Sequence, residues 1–383
     1  MKKIIAILLI GALAFCFVPK SCFAAEFAGE LSAQSAILIE PECGRVLYEK
    51  NADERRYPAS VTKVMTLLLV FEALDSGKLN LNDTVTASEY AASMGGSQIF
   101  LSPGETMRAE DMIKSVIIAS ANDAATALAE HIAGSEAAFV ALMNKRASEL
   151  GMINTNFENV SGLDDTANDH KTTARDISIM SRELIINHPK VLEYSGIWMD
   201  TVRDGAFGLS NTNRLIRFYS GATGLKTGST AKAGFCISAS AERNGMKLIA
   251  VIMGAPNRDA RNSDAKALLD FGFASYETYR SDGGMIEHLS VKGGNAPEFT
   301  AEYPSVCFLL EKGSGARVRK EIVIDEMFVA PVNVGSSVGK VIYTLDGERV
   351  GECDIISRDK VEKISYEDLF QRMFAKFLLK TEQ

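Results

Sequence analysis

The order of apolar and polar positions divides the chain into segments of different character. Ile4 to Val18 is apolar, broken only by small residues, and it follows Lys2 and Lys3. Cys22-Phe23-Ala24 closes this run with a small residue, the layout of a cleaved secretory leader. The run is shorter than the ~20 residues of a spanning helix. The bulky Phe15 before Cys16 argues against a lipoprotein site. Ala36–Glu40 and Arg45–Lys50 then read as two strands joined by a turn at Pro41-Glu42-Cys43-Gly44. A helix is predicted to begin near Ser60, just after Pro58. Val64, Leu67, Leu68, Phe71 and Leu74 recur at helical spacing, and Gly77 ends it.

Residues 84–180 read as mainly helical, with elements at Met112–Ala119, Ala121–Ile132, Ala137–Leu150 and Lys171–Ile186. Strands return near residue 225. Gly234–Glu242 and Lys247–Gly254 flank Arg243-Asn244-Gly245-Met246, a hairpin signal, and Ala265–Phe273 reads as a closing helix. Strands at both ends thus enclose a helical middle, which predicts an α+β domain with one antiparallel sheet and helices packed on it. The pattern changes at Ser281-Asp282-Gly283-Gly284. Beyond it, short β-type runs (Ser305–Leu310, Arg317–Ile324, Gly339–Leu345) alternate with turn residues and predict a small all-β domain. The expected divisions are a leader at 1–24, a first domain at 25–282, a β domain at 283–358 and a terminal segment at 359–383.

In that terminal segment Tyr366, Leu369, Phe370, Met373, Phe374, Phe377 and Leu378 form one helical stripe, with Arg372, Lys376 and Lys380 off it. Such a helix suits a membrane interface. The alternative is a helix docked on the β domain or on a partner.

Composition narrows the picture. Apolar residues make up 46% of the 383 and charged residues 23%, an ordinary globular balance with length enough for two domains. Removing residues 1–24 takes away Lys2, Lys3 and Lys20 and no acid, so the net charge goes from −8 to −11. An acidic chain lacks the basic footprint of a nucleic-acid binder. Four cysteines remain: Cys43, Cys236, Cys307 and Cys353. No C-x-x-C pair points to metal. Export would permit disulfides, but isolated buried thiols are the expectation. There are four histidines and no H-E-x-x-H zinc pattern, so the residues point to no metal.

Three short motifs occur in order: Ser60-Val61-Thr62-Lys63, Ser120-Ala121-Asn122 and Lys226-Thr227-Gly228. S-x-x-K alone is weak, since it also begins at Ser229, Ser263, Ser337 and Ser357. Ser60 is set apart by its place at a helix start. There, i and i+3 share a face, and the positive helix end disfavours a nearby ammonium. A lysine so depressed can act as a base. A capping serine with a solvent-facing lysine is the plain alternative. S-x-N sits between two predicted helices, where an N-cap is the plain alternative. K-T-G precedes the apolar strand at Gly234–Ala239, where a glycine permits close backbone approach; an ordinary turn is the other reading. Gly335-Ser336-Ser337-Val338-Gly339 fits the G-x-S-x-G elbow, but β-type sequence follows it where a helix is required, so it reads as a turn.

These motifs resemble those of the low-molecular-mass penicillin-binding proteins, serine D-alanyl-D-alanine carboxypeptidases of the bacterial cell wall. The likeness extends to P-A-S-V-T-K-V-M-T around Ser60, G-G-S-Q-I-F-L at Gly95–Leu101, S-A-N-D-A at Ser120–Ala124 and G-L-K-T-G at Gly224–Gly228. It implies a penicillin-binding/β-lactamase-like domain with a helical subdomain. It implies that Ser60 forms the acyl-enzyme, Lys63 takes its proton and Ser120 relays protons. Asn122 would hold the substrate peptide, and Lys226 and Thr227, followed by Gly228, would orient it. The N–H groups of Ser60 and Ser229 would form the oxyanion hole, and Arg261 would meet the terminal carboxylate. The resemblance implies no metal or organic cofactor, and as partners peptidoglycan stem peptides, β-lactams as covalent inhibitors and the outer face of the cytoplasmic membrane. A β-lactamase and a non-catalytic wall-binding protein are the rival readings.

Overall fold

The computed structural model describes residues 26–379 apart from 166 and 326; the expected leader at 1–24 and the last four residues of the chain lie outside the described residues. The predicted sheet is present. Its strands run in the order Arg45–Lys50, Ser35–Glu40, Met246–Ala255, Gly234–Arg243, Ala222–Thr230, each antiparallel to its neighbour. The predicted hairpin closes in two residues. Arg243 pairs with Met246, and Asn244 and Gly245 take φ of 50° and 75°, as a type I′ turn requires.

The central strands are apolar on both faces because both are covered. Ile37, Ile39, Ile249, Val251 and Met253 point into the core shared with the helical middle. The alternate residues Ala36, Leu38, Leu248, Ala250 and Ile252 point to the other side, onto Ala265, Leu268, Leu269 and Phe273 of helix Arg258–Ser275. That helix begins at Arg258 rather than at Ala265. Asn257 caps it by accepting the Ala260 N–H, and its first turns carry Arg258, Asp259, Arg261 and Asp264, which hide them from an apolar periodicity. Helix Ala174–Asn187 starts later than expected for a similar reason, since Thr173 is its cap. Two ribbons went unpredicted, Thr84–Thr86 with Thr106–Arg108 and Met199–Val202 with Phe207–Ser210. Strands of three or four residues are too short to display a period of two.

Helix Lys63–Asp75 lies in the middle of the first core. Val64, Met65, Leu67, Leu68, Val70 and Phe71 are all buried, so it is apolar nearly all round. It packs against helices Asn122–Ala133, Glu136–Glu149 and Ala174–Asn187 and against strand Ala222–Thr230. Cutting a buried residue such as Phe71 to alanine costs about 3–5 kcal/mol.

The second region is all-β, as expected. Its six-stranded sheet runs Val318–Ile324, Ser337–Leu345, Glu348–Ser357, Glu298–Tyr303, Gly284–Lys292, Phe328–Val329. Phe299, Ala301, Val341, Tyr343 and Ile355 fill its core. Gly335 to Gly339 leads into strand Ser337–Leu345 with no helix after it, so no nucleophile elbow is built there. Strand Tyr276–Ser281 pairs along its whole length with Val306–Glu311, so the ladder of the β region crosses the expected limit at 282. Helix Arg258–Ser275 passes directly into that strand, and no loop marks the change.

Cys43, Cys236, Cys307 and Cys353 are free thiols as expected, with only Cys236 fully buried, but one pair is not isolated. Cys43 Sγ lies 3.0 Å from Cys307 Sγ, because the turn after the first strand packs on the β region. Helix Tyr366–Leu379 forms as expected and is opened by Ser365, whose hydroxyl accepts the Asp368 N–H. The described residues of its stripe are not docked on the β region: Tyr366, Phe370 and Phe377 are 94%, 70% and 73% exposed.

Candidate active site

Ser60 and Lys63 meet where the chain is forced into a tight entry. Pro58 is followed by Ala59 at φ 50°, then by a 3-10 turn at Ala59–Thr62 that runs into helix Lys63–Asp75. A left-handed alanine is uncommon, and such a conformation costs on the order of 1–3 kcal/mol. One turn of this geometry brings Lys63 Nζ to 3.1 Å from Ser60 Oγ. Nζ also donates to Asn122 Oδ1 at 2.5 Å and to the Ser161 carbonyl at 2.8 Å. Lys63 is fully buried. Burial, together with the neighbouring Lys226 charge, holds its ammonium well below the usual lysine range, while Asp123 pulls the other way. A neutral amine has two hydrogens and one lone pair. The two carbonyl acceptors take the hydrogens, which leaves the lone pair for the Ser60 proton.

The carbonyl that helps fix Lys63 comes from a tightly packed segment. Gly162 sits at φ 83°, and a Cβ there would lie 1.9 Å from the Ala59 carbonyl oxygen. Beneath it, buried His170 accepts the Glu158 N–H at Nδ1, so its Nε2–H donates to Thr62 Oγ1 at 2.8 Å. Burial lowers the His170 pKa to about 4, so this histidine is neutral and structural. Asp164, in the same segment, accepts from Thr230 Oγ1 at the end of the K-T-G strand.

Ser120 closes a π-helical turn at Ser115–Ala119 and takes φ 63°, ψ 29°. π turns of this kind concentrate at functional sites. Its Oγ is buried and has no hydrogen-bond partner among the described residues, so no bond draws the expected relay to either lysine. Asn122 is engaged at both ends of its amide: Oδ1 accepts from Lys63, and Nδ2 donates to the Gly95 carbonyl at 2.7 Å. Its geometry therefore positions Lys63 rather than presenting a free amide to a peptide. Asp123 escaped the sequence reading, although it stands within S-A-N-D-A. Its fully buried carboxylate accepts N–H groups of Ile99, Leu101 and Ala124 at 2.9–3.2 Å and so fixes the loop at 95–101.

Strand Ala222–Thr230 passes directly beside the nucleophile. A Cβ on Gly228 would lie 2.7 Å from Ser60 N and 2.9 Å from Val61 N, so a side chain there would displace Ser60. Lys226 is buried, and its Nζ donates to the Thr227 carbonyl at 3.0 Å. Burial and then the Arg261 charge lower its pKa to about 7. Thr227 Oγ1 donates to Thr212 Oγ1 at 2.7 Å, and Ser229 is exposed at the strand end. Arg261 is buried near Lys226 and turns Nε and Nη2 to Asn262 Oδ1. Burial and Arg258 bring its pKa down to about 10. Among the described residues no group of three or more His, Cys, Asp or Glu could hold a metal.

The profile of the D-alanyl-D-alanine carboxypeptidase family matches residues 22–257. The chain belongs to that family. A second profile, the C-terminal domain of penicillin-binding protein 5, matches residues 276–363. The D-alanyl-D-alanine carboxypeptidase DacF of Bacillus subtilis is 42% identical over 97% of this chain and 98% of its own length. DacC of Escherichia coli, of the same description, is 34% identical over 92% of this chain and 90% of its own. Among solved structures, penicillin-binding protein 5 from Haemophilus influenzae superposes with a TM-score of 0.78 at 32% identity, covering 88% of this chain and all of that one. Penicillin-binding protein D2 from Listeria monocytogenes, solved in an ampicillin-bound form, covers 63% of this chain and 98% of its own at 35% identity, with a TM-score of 0.56.

This carboxypeptidase is thus a serine-type hydrolase with a penicillin-binding fold and an all-β C-terminal domain. The β-lactamase and wall-binding readings are not favoured by relatives that match over nearly the whole chain.

Proposed function

We propose that the chain removes the terminal D-alanine from peptidoglycan stem peptides through an acyl-enzyme on Ser60. The observation that carries this is the Lys63 amine, buried, held by two carbonyls and 3.1 Å from Ser60 Oγ. Ser60 Oγ attacks the carbonyl of the penultimate D-alanine and passes its proton to Lys63. Negative charge develops on the carbonyl oxygen and is met by the N–H groups of Ser60 and Ser229. D-Alanine leaves with a proton, with Ser120 as the relay, and water then resolves the ester. Lys226 and Thr227 orient the peptide, and Arg261 supplies positive charge to its terminal carboxylate. β-Lactams acylate the same oxygen.

The site of action in this proposal is the outer face of the cytoplasmic membrane. Residues 1–24 form the removed leader, the catalytic unit extends to Ser275 and the β unit begins at Tyr276. The exposed stripe of helix Tyr366–Leu379 supports an interfacial anchor. No helix among the described residues is long and apolar enough to cross a membrane. Release of D-alanine from a D-Ala-D-Ala-terminated pentapeptide, lost in Ser60→Ala, tests the reaction. Absent release, or penicillin hydrolysis that outpaces it, would overturn the proposal.

A further inference from the structure

The catalytic and β regions meet at a junction that holds two cysteines from opposite sides. On the catalytic side, Cys43 lies in the turn between the first two strands. That turn is rigid. The buried Glu40 carboxylate accepts the Glu42 and Cys43 N–H groups at 3.0 and 2.6 Å, Arg182 donates to the Pro41 carbonyl, and Gly44 supplies φ 67°. On the other side, Cys307 lies in strand Val306–Glu311, directly opposite Arg280 of the paired strand. Arg280 forms an ion pair with Glu42, the residue before Cys43, and donates to the Gly245 carbonyl at 2.6 Å. Lys247 holds the other oxygen of Glu42 at 3.1 Å. Glu42 with Arg280, and Cys43 with Cys307, are therefore neighbouring pairs across one junction, and the sulfurs stand 3.0 Å apart.

We propose that Cys43 and Cys307 form a disulfide that clasps the catalytic region to the β region. Two fixed backbones already bring the sulfurs together, so the bond needs little movement. The half-buried pair leaves a path for an oxidant. The oxidant belongs to the class of small or protein disulfides. The Cys307 thiolate attacks one sulfur of that disulfide and expels a thiolate. Cys43, deprotonated, then attacks the Cys307 sulfur of the mixed disulfide and expels the second. Two thiols are oxidised, one external disulfide is reduced to two thiols, and two electrons are transferred. The hydrogen bond from Cys43 holds the Cys307 thiol below the ordinary range and pushes Cys43 up, which makes Cys307 the first attacker. In the cell the bond depends on the export proposed above, since reducing compartments disfavour it. The chemistry can be tested without that assumption.

The junction also suggests why a clasp is useful. Besides the paired sulfurs it is held by Leu309 packed on the core under helix Arg258–Ser275 and by charged groups at a partly exposed surface, which contribute little each and are weakened by salt. A covalent link keeps the site at a fixed place relative to the β region and its terminal helix.

Purified full-length chain is reduced, equilibrated with oxidised glutathione and digested without reductant for mass spectrometry. The expected product is a linked pair of peptides carrying Cys43 and Cys307, with Cys236 and Cys353 outside the link. Cys43→Ser and Cys307→Ser should each abolish it. In parallel, reductant should lower the melting temperature of the oxidised parent but leave that of Cys307→Ser unchanged. Recovery of Cys43 and Cys307 as unlinked peptides, or linked to other cysteines, overturns the proposal. So does a melting temperature indifferent to the bond.

Discussion

Replacing Asp123 probes how the site is held in shape without touching the nucleophile or the base. Its carboxylate receives the N–H groups of Ile99 (3.1 Å to the nearer oxygen), Leu101 (3.0 Å) and Ala124 (2.9 Å), all three residues being buried. Asp123→Ala leaves the Ile99, Leu101 and Ala124 donors without their acceptor. At about 1–3 kcal/mol for each buried unsatisfied group, the loss is about 3–9 kcal/mol, a large part of a typical 5–15 kcal/mol total. Asp123→Asn keeps one acceptor oxygen, loses the charge and turns an NH2 toward donors, so a loss of about 1.5–3 kcal/mol is expected. The damage should spread to catalysis through the loop at 95–101. Gly95 and Ser97 carbonyls hold the side chain and N–H of Asn122, and Asn122 holds Lys63. Removing the Asp123 charge lowers the Lys63 pKa further, so slower acylation would report lost positioning and not a protonated base. Urea unfolding and the penicillin acylation rate, measured on the same Asp123→Asn sample, check both parts. Parent-like stability with parent-like acylation would refute the reasoning.

Lys63→Ala should fold and yet lose acylation by at least about 100-fold, the low end of general-base effects; acyl-enzyme trapping on the folded variant checks it, and near-normal trapping returns Lys63 to a structural role. Lys226 contributes a positive charge that is lost as pH rises through about 7, so kcat/KM for a carboxylate-terminated peptide should fall along an alkaline limb there. Arg261→Gln removes a repelling charge, so the Lys226 pKa rises and that limb moves to higher pH; a limb that stays in place separates Arg261 from Lys226. The same variant should weaken peptide turnover more than penicillin acylation. Deleting Tyr366–Gln383 should release the chain from anionic vesicles with its activity on soluble peptides intact. Each large apolar side chain contributes about 1.5–3 kcal/mol if fully buried and less at an interface, and each basic group about 1 kcal/mol. Co-sedimentation checks this, and full-length chain left in the supernatant at low salt contradicts it.

Much of the fold could be read from the chain because its strands and helices are long and their apolar period is clear. The strand Met246–Ala255 and the helix Lys63–Asp75 are such cases, and Asn244-Gly245 named its own turn. What stayed hidden has local causes. Helix Arg258–Ser275 opens on polar residues, and the ribbons are too short for a period. The ladder at Tyr276–Ser281 depends on a strand some thirty residues further on, as strand pairing commonly does. At the site, residue types in a motif pointed to Ser60 and Lys63, but not to their support. The left-handed Ala59 and Ser120, the Ser161 carbonyl and the buried His170 serve through backbone and packing, which leave no motif. Asp123 had a signal in its place beside Asn122, but a carboxylate at the start of a helix commonly serves as a cap, and nothing in the motif separates that from fixing a distant loop. The approach of Cys43 to Cys307 joins positions 264 apart, and no local pattern announces it.

The most direct test of the central claim is the position of the covalent adduct after incubation with penicillin. Intact mass and peptide mapping of the full chain should find one adduct, on Ser60, and none in Ser60→Ala. The other S-x-x-K serines serve as internal controls, because Ser337 and Ser357 lie in the β region, far along the chain from Lys63 and Lys226. An adduct on either of them, or an unmodified parent protein, contradicts the assignment of Ser60 as the nucleophile.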